Sequence, residues 1–283
     1  MSGLPAGWPE GKTLAVSVSV MLEGWSDGAA PGVGPMGNVL KAGTLDLQGR
    51  SWAEYGVQAG APRLLDVLAK AGVRAVFYVS GILAERHAAL VRMIAAAGHV
   101  VAAHGWGQEI IPATQSVEDE RRDLARCIAA IEAAVGVAPP GWLSPRCTPS
   151  ADTAGLLAAA GMGWHADYFD QDLPRRIETG RGAITAVPFT MEVNDMPLSV
   201  RYGNEPEAYT RILGRILEGW PGLAGAHVPG PACLDVTVHA HVFGRPFGAI
   251  EFARSLALLQ ESAAVWTTDH DALGGAFSDP ATR

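Results

Sequence analysis

The 283-residue sequence has few cysteines, few basic residues and no long apolar run. Its three cysteines, Cys127, Cys147 and Cys233, are widely spaced, which argues against a disulfide framework or a cysteine-rich zinc motif and favours a reducing compartment. Lysine and arginine number 21 against 29 acidic residues, so the formal net charge is −8 and no basic stripe is available for nucleic-acid phosphates. No apolar run reaches the roughly 18 residues of a membrane span.

The first twelve residues also lack the charged start and apolar block of a secretory signal peptide. The absences together predict a cytoplasmic protein that acts on a small molecule, with neither a nucleic-acid nor a membrane partner. The hydrophobic fraction of 48% is sufficient for a large core, and the length fits one α/β domain over 1–283.

Short β-branched runs alternate with amphipathic helical segments along the chain. This alternation predicts an α/β fold, a distorted (β/α) barrel of about seven to eight mostly parallel strands. Segment 24–59 has many glycines and little periodicity, which predicts a functional or flexible loop. The predicted strands are Leu14–Val20, Arg74–Ser80, Val100–His104, Trp142–Ser144, Trp164–Tyr168, Ile184–Thr190, Leu234–Ala240 and Val265–Thr268.

Polar side chains follow these runs at what would be one end of the barrel, where such folds keep their chemistry. Each has an ordinary structural alternative, such as a solvated loop acid or a core histidine, but together they predict an active site. The third run ends on His104, and alternation places His239 and His241 on one face of the seventh. The other candidates are Glu23, Arg146, Asp172, Asn194 and Asp195.

Several motifs occur in a specific order from Trp8 to about Leu273. They are Trp8-Pro-Glu-Gly before Glu23, Tyr55-Gly-Val-Gln-Ala-Gly, His104-Gly-Trp106, Ser144-Pro-Arg146, Asp172-Leu-Pro174, Asn194-Asp195, and His239 followed by Gly244-Arg-Pro246. On these motifs the chain resembles the polysaccharide deacetylase superfamily, and within it the branch of metal-independent allantoinases, cyclic imide hydrolases and related peptidoglycan deacetylases. The resemblance implies a distorted (β/α) barrel that hydrolyses a non-peptide carbon–nitrogen bond, and a homo-oligomer, a dimer or tetramer.

The chain departs from the metal-dependent members of that superfamily at two positions. Those members supply an aspartate and a His-x-x-x-His pair to a divalent ion and keep a second aspartate as base. Here Gln108 stands where the second histidine would be, and Met21 replaces the extra aspartate. Since a neutral amide is a poor zinc ligand, we expect a reaction without a cofactor. The alternative is zinc or another divalent metal held by Glu23, His104 and either Gln108 or His241.

We therefore expect Glu23 and His104 to activate a water and His239 to protonate the leaving nitrogen. Arg146 would position the substrate, and Asp172 would orient Arg146 or a histidine. Trp106 would pack on a flat substrate ring, unless it is a wall residue of the core. Further substrate contacts are expected from Asn194, Asp195 and His241.

The predicted substrate is a small cyclic amide, imide or ureide. One alternative is a metal-dependent N-deacetylase of an acetylated sugar or peptidoglycan fragment. The other is an inactive barrel that binds a small ligand.

Overall fold

The computed structural model describes residues 8–27, 29, 40–41, 44–223 and 231–278. Within them the chain forms ten strands: β1 (Leu14–Leu22), β2 (Val76–Val79), β3 (Val100–Ala103), β4 (Gly141–Trp142), β5 (Trp164–His165), β6 (Arg175–Thr179), β7 (Gly182–Ala186), β8 (Val193–Asn194), β9 (Ala232–His239) and β10 (Val265–Thr268). The α-helices are α1 (Leu47–Tyr55), α2 (Ala61–Ala71), α3 (Gly81–Arg86), α4 (Ala88–Ala96), α5 (Val117–Val135), α6 (Thr153–Ala159), α7 (Glu207–Leu223), α8 (Pro246–Glu261) and α9 (His270–Ser278).

The strands form one sheet in the order β6-β7-β5-β4-β3-β2-β1-β9-β8. β1 pairs with β9 along one edge, and with β10 and then β2 along the other. All pairs are parallel except the β6–β7 hairpin. Within the described chain the end strands β6 and β8 do not pair, so the curled sheet forms a half-barrel. The predicted α/β fold with a distorted, mostly parallel barrel is confirmed.

Two local differences from the predicted elements have clear causes. The structure adds the two-residue strand β8 and the strand β6, whose residues alternate between half-buried and exposed and include Arg175, Arg176 and Glu178. Charged residues on an edge strand weaken the apolar signal on which strand prediction depends.

Of the glycine-rich segment 24–59, residues 28, 30–39 and 42–43 lie outside the described chain. Its later part is not a loop, because the Asp46 side chain accepts from Gly49 N (2.8 Å) and caps α1.

Residue alternation along the central strands decides which side chains enter the barrel. On β1, Val16, Val18 and Val20 join the larger hydrophobic cluster, whereas Ala15 and Met21 belong to a second, smaller cluster. Because successive side chains point to opposite faces, Glu23 continues the row of Met21 beyond the strand end. The parallel register pairs Met21 with His239 on β9 and with Tyr78 on β2. This register aligns the ends of the central strands.

None of the helices in the described part of the chain is both long and apolar enough to cross a membrane.

Candidate active site

Four predicted site residues meet at the carboxyl ends of β1, β3 and β9. The Oε1 atom of Glu23 lies 3.5 Å from His104 Nε2 and 3.8 Å from His239 Nε2. Its Oε2 atom lies 3.8 Å from His241 Nε2. All four side chains are largely buried. One carboxylate is thus surrounded by three imidazole rings.

The tautomer of His104 follows from its hydrogen bond. Its Nδ1 atom lies 2.7 Å from the carbonyl oxygen of Leu143, which can only accept, so Nδ1 carries the proton and donates. In the neutral ring, Nε2 then presents a lone pair toward Glu23. Because His104 directly follows β3 and Leu143 directly follows β4, neighbouring strands fix this orientation.

His239 is held from behind by Asp195, a fully buried carboxylate. The Oδ1 atom of Asp195 lies 2.6 Å from His239 Nδ1, and its Oδ2 accepts from the backbone N–H groups of His239 and Phe243 at 2.8 and 3.1 Å. Burial alone lowers the pKa of His239, but the Asp195 and Glu23 carboxylates outweigh it and raise the pKa above the ordinary 6.5. His239 is therefore suited to hold a proton near neutral pH.

His241 has the opposite electrostatic character. Its ring is contacted edge-on by Trp52 and Trp25, with centroids 4.5 and 5.8 Å away. Burial among these rings lowers the pKa of His241 to about 4, and Glu23 offsets only part of that effect. His241 is therefore neutral at pH 7, and its Nε2 has no hydrogen-bond partner among the described residues.

Glu23 is a carboxylate at neutral pH. Burial raises the pKa of its carboxyl group, but the charge of His239, a hydrogen bond with His104 and the smaller effects of charge on His241 and His104 together outweigh burial and lower the pKa to about 2. At that pKa Glu23 holds no proton to donate and is a weak base. It can instead orient a water molecule and stabilise a positive imidazole.

The residues of the site do not fit a zinc ion. Gln108 Nε2 donates to Ser80 Oγ (3.1 Å) and to the carbonyl oxygen of His104 (3.0 Å), so only the neutral Oε1 of the amide faces the site, and such an oxygen is a poor zinc ligand. The nitrogens of His104 and His241 approach different oxygens of Glu23. In the part of the chain that the structure describes, no group of three or more His, Cys, Asp or Glu residues is arranged to hold a metal ion.

A cavity of about 220 Å³ opens beside Glu23 and the three imidazoles. The predicted residues Arg146, Gln108 and Asn194 also line it. Sequence reasoning missed most of the remaining wall, because apolar residues on loops carry no periodic signal. The missed lining residues are Trp25, Trp52, Leu143, Cys147, Met191, Met196, Pro197, Val200 and Arg201.

Three predicted residues have other positions than expected. Asp172 is exposed and does not line the cavity; its backbone carbonyl accepts from Cys233 N at 2.8 Å. Trp106 packs under the guanidinium of Arg126, 3.3 Å from the ring centroid, as a wall residue outside the cavity. Asp195 lies behind His239 rather than against the substrate. Of the two aspartates, Asp195 is the one whose side chain contacts a histidine of the site.

Residues 53–164 match the family model described as polysaccharide deacetylase. A curated relative, a peptidoglycan deacetylase from Helicobacter pylori (strain ATCC 700392 / 26695), is 27% identical over 139 residues, 49% of this chain and 47% of that protein. The match therefore spans about half the length of that relative.

Two solved structures share the fold over nearly the whole chain. One, described as a probable polysaccharide deacetylase from Pseudomonas aeruginosa PAO1, has a TM-score of 0.84 and 22% identity, covering 95% of this chain and 92% of that one. The other, Puue allantoinase, has a TM-score of 0.85 and 22% identity, covering 97% and 93%. The predicted resemblance to polysaccharide deacetylases is confirmed over residues 53–164, and the two structures show that the fold is shared over nearly the whole chain.

Proposed function

We propose that this chain hydrolyses the carbon–nitrogen bond of a small amide, preferably a cyclic amide, imide or ureide. The match of residues 53–164 to the polysaccharide deacetylase model supports this class of reaction. The observation that carries the proposal is the set of three imidazoles around the Glu23 carboxylate, two of them with their Nδ1 atoms pinned by acceptors. Such a set holds a base and an acid side by side.

In this proposal His104 is the base and Glu23 its partner. A water between them gives its proton to His104 Nε2 as its oxygen attacks the carbonyl carbon of the substrate. Glu23 orients the water and stabilises the imidazolium, since its low pKa keeps it negative throughout. The Leu143 carbonyl holds the ring in the required tautomer.

His239 is the acid, because its raised pKa keeps a proton on the ring near neutral pH. That proton passes from Nε2 to the leaving nitrogen as the carbon–nitrogen bond breaks, which leaves a carboxylic acid and an N–H group. The acid then returns a proton to His239 and becomes a carboxylate, and His104 releases the proton of the water to solvent. Arg146 lines the same cavity and positions the substrate. Asn194 contributes to the cavity wall, with its Oδ1 accepting from Met196 N at 3.0 Å.

Two buried polar atoms on the cavity wall support an amide substrate. The indole N–H of Trp25 and the Oε1 of Gln108 have no hydrogen-bond partner among the described residues. An amide offers both a carbonyl acceptor for a donor such as Trp25 and, where its nitrogen carries hydrogen, a donor for Gln108. A cavity of about 220 Å³ favours a compact ring over a sugar chain.

A substrate panel tests this function. Hydantoins, succinimide-type imides and allantoin are compared with acetylated chitooligosaccharides and simple acetamides. Ring opening in the first group, at rates well above those on the sugars, is the expected result. Release of acetate from the sugars without ring opening would favour the N-deacetylase alternative, a candidate because the curated relative is a peptidoglycan deacetylase. Binding of the cyclic amides without turnover would favour an inactive ligand-binding barrel.

The reaction is proposed to need no metal, because the donor set around Glu23 does not fit one. Purified enzyme should contain less than one zinc per chain, and a chelator should leave both the turnover and the melting temperature nearly unchanged. One tightly held divalent ion per chain, with activity lost on its removal, would contradict this and restore the metal-dependent alternative.

We also propose that the chain acts as one catalytic domain, in the cytoplasm, as a dimer or tetramer. Cys127, Cys147 and Cys233 are all free thiols, which is compatible with a reducing compartment. Light scattering should show a particle larger than the 29.6 kDa chain; a monomer at micromolar concentration would contradict the assembly.

A further inference from the structure

The wall of the cavity beside Glu23 carries two arginines, Arg146 and Arg201, that take no part in the proposed proton transfers. Both side chains belong to exposed residues, and neither lies within ion-pair distance of a carboxylate in the described chain. Eight other arginines do form such pairs: Arg74, Arg86, Arg121, Arg122, Arg175, Arg176, Arg181 and Arg254. The cavity thus has free positive charge in a chain whose formal net charge is −8.

The sheet order places the strands that precede the two arginines on opposite sides of β1. Arg146 follows β4, which lies three strands from β1 in one direction, and Arg201 follows β8, which lies two strands away in the other. Since the sheet curls into a half-barrel, its two flanks face each other across the cavity. Both arginines line the cavity that holds Glu23 and the imidazoles, and the charge of Arg201 reaches Cys147, the residue that follows Arg146.

The local backbone places each arginine at the wall of the cavity. Arg146 has a backbone φ of 55°, in the left-handed region that costs a non-glycine residue about 1–3 kcal/mol. Such conformations are retained where the surroundings enforce them, and here the Ser144-Pro145 turn carries Arg146 to the cavity wall. Arg201 ends the π-helix Met196–Arg201, and its charge acts on both His239 and Cys147.

We propose that Arg146 and Arg201 bind a carboxylate that the substrate carries in addition to its scissile amide. The inference rests on the proposed function and narrows its substrate to an anionic amide, cyclic or open. Guanidinium groups match carboxylates in shape and charge. They also offset the repulsion that an acidic protein exerts on an anionic substrate. The carboxylate in question is separate from the one that hydrolysis creates beside Glu23.

The test compares two ligands of nearly equal size that differ in charge, hydantoin-5-acetate and hydantoin-5-acetamide. The wild-type enzyme should prefer the acetate by at least about 10-fold in kcat/KM, mainly through KM, as expected for charge-assisted hydrogen bonds. Arg146→Gln and Arg201→Gln should each reduce this preference at least about 10-fold. The control is Arg211→Gln, an exposed arginine on α7 outside the cavity, which should leave the preference unchanged.

The outcomes separate this inference from the proposed function. Equal kcat/KM for both hydantoins, unaffected by the two cavity variants, would overturn the carboxylate site while leaving carbon–nitrogen hydrolysis intact. If neither hydantoin is hydrolysed, calorimetry compares the binding of glutaramate with that of neutral glutaramide. Tighter binding of glutaramate that weakens in Arg201→Gln supports the site without any turnover. Equal binding of the two, or no binding of either, would overturn it.

Discussion

The tautomer of the neutral His104 ring is set by an atom on a neighbouring strand end, the carbonyl oxygen of Leu143. This contact leaves Nε2 with a lone pair beside a carboxylate, which the proposed role of His104 as base requires. In the other tautomer, Nε2 would donate to Glu23 and no lone pair would face the water. The backbone of one strand end therefore determines the chemistry of the next.

Replacement of His104 by alanine tests its assignment as the base. His104→Ala should lower kcat on the best cyclic amide by at least about 100-fold, the usual scale of a general acid–base group. Steady-state kinetics measure the change, and circular dichroism checks that the variant folds. His87→Ala is the control, because His87 is half-exposed between α3 and α4 and does not line the cavity. Equal, small effects of both substitutions on turnover would remove His104 from the mechanism.

The Asp195–His239 pair should be visible in the pH dependence of the reaction. Because Asp195 raises the pKa of His239, the alkaline limb of kcat/KM should lie above pH 6.5 and reflect loss of the acid's proton. Asp195→Asn should move that limb to lower pH. Asp172→Asn, on an exposed residue, should leave it in place. A profile unchanged in Asp195→Asn would show that His239 does not titrate as the acid.

The contact between Asp195 and His239 should also stabilise the folded state to an extent that depends on pH. A histidine whose pKa is raised by folding stabilises the folded state below its unfolded pKa of about 6.5, and this contribution is lost as pH rises through the folded pKa. The difference in unfolding free energy between wild type and Asp195→Asn should therefore be larger at pH 6 than at pH 9. Denaturant titrations at the two pH values measure it.

The sequence identified Glu23, His104, His239 and His241 because strand alternation and strand ends are legible in a single chain. It did not distinguish Asp195 from Asp172, since both follow a strand by a few residues. Only the pairing of β8 with β9 places Asp195 beside His239. It also missed Arg201, because a residue at the end of a short π-helix has no periodic pattern to reveal it.

At the scale of elements, the turn after β9 depends on a close approach between two backbones. A Cβ on Gly244 would lie 2.0 Å from the carbonyl oxygen of Ala240 and 2.5 Å from the Cα of Gly60. Both neighbours are backbone atoms, so neither can rotate away. This contact joins the segment that carries His241, whose Nε2 lies 3.8 Å from Glu23, to the π-helix Gly56–Gly60.

Gly244→Ala should therefore harm both folding and catalysis. We expect a loss of about 1–3 kcal/mol in unfolding free energy, the usual cost of overpacking, and a fall in kcat as His241 moves. Gly219→Ala is the matched control, because Gly219 lies within α7 and an added Cβ would meet no atom within 4 Å. Alanine is the better helix former, so the control should be neutral or stabilising. Similar stability of the two variants would show that the turn relaxes easily.

At the scale of the whole molecule, a layer of buried polar residues lies within the half-barrel, on the face of β1 and β9 that also carries the catalytic groups. Its centre is Asp235, whose carboxylate accepts from Ser17 Oγ (2.5 Å), Ser19 Oγ (2.8 Å) and the Thr237 hydroxyl. The imidazole of His270 lies 3.2 Å from the same carboxylate, so α9 is tied to β1 and β9. The apolar pattern of these strands predicted their burial but gave no sign of this network, which exists only once β9 lies against β1.

Asp235→Asn tests how strongly this network supports the fold. The substitution keeps the shape but removes the charge and leaves one acceptor where the hydroxyls and His270 require two. Because all of these groups are buried, we expect a loss of about 2–4 kcal/mol in unfolding free energy, measured by denaturant titration. Asp66→Asn, on the exposed face of α2, should change stability by less than about 0.5 kcal/mol. Equal unfolding free energies of the two variants would show that the buried polar layer does not need the charge of Asp235. The stability of the half-barrel would then come from the apolar contacts between the sheet and the helices.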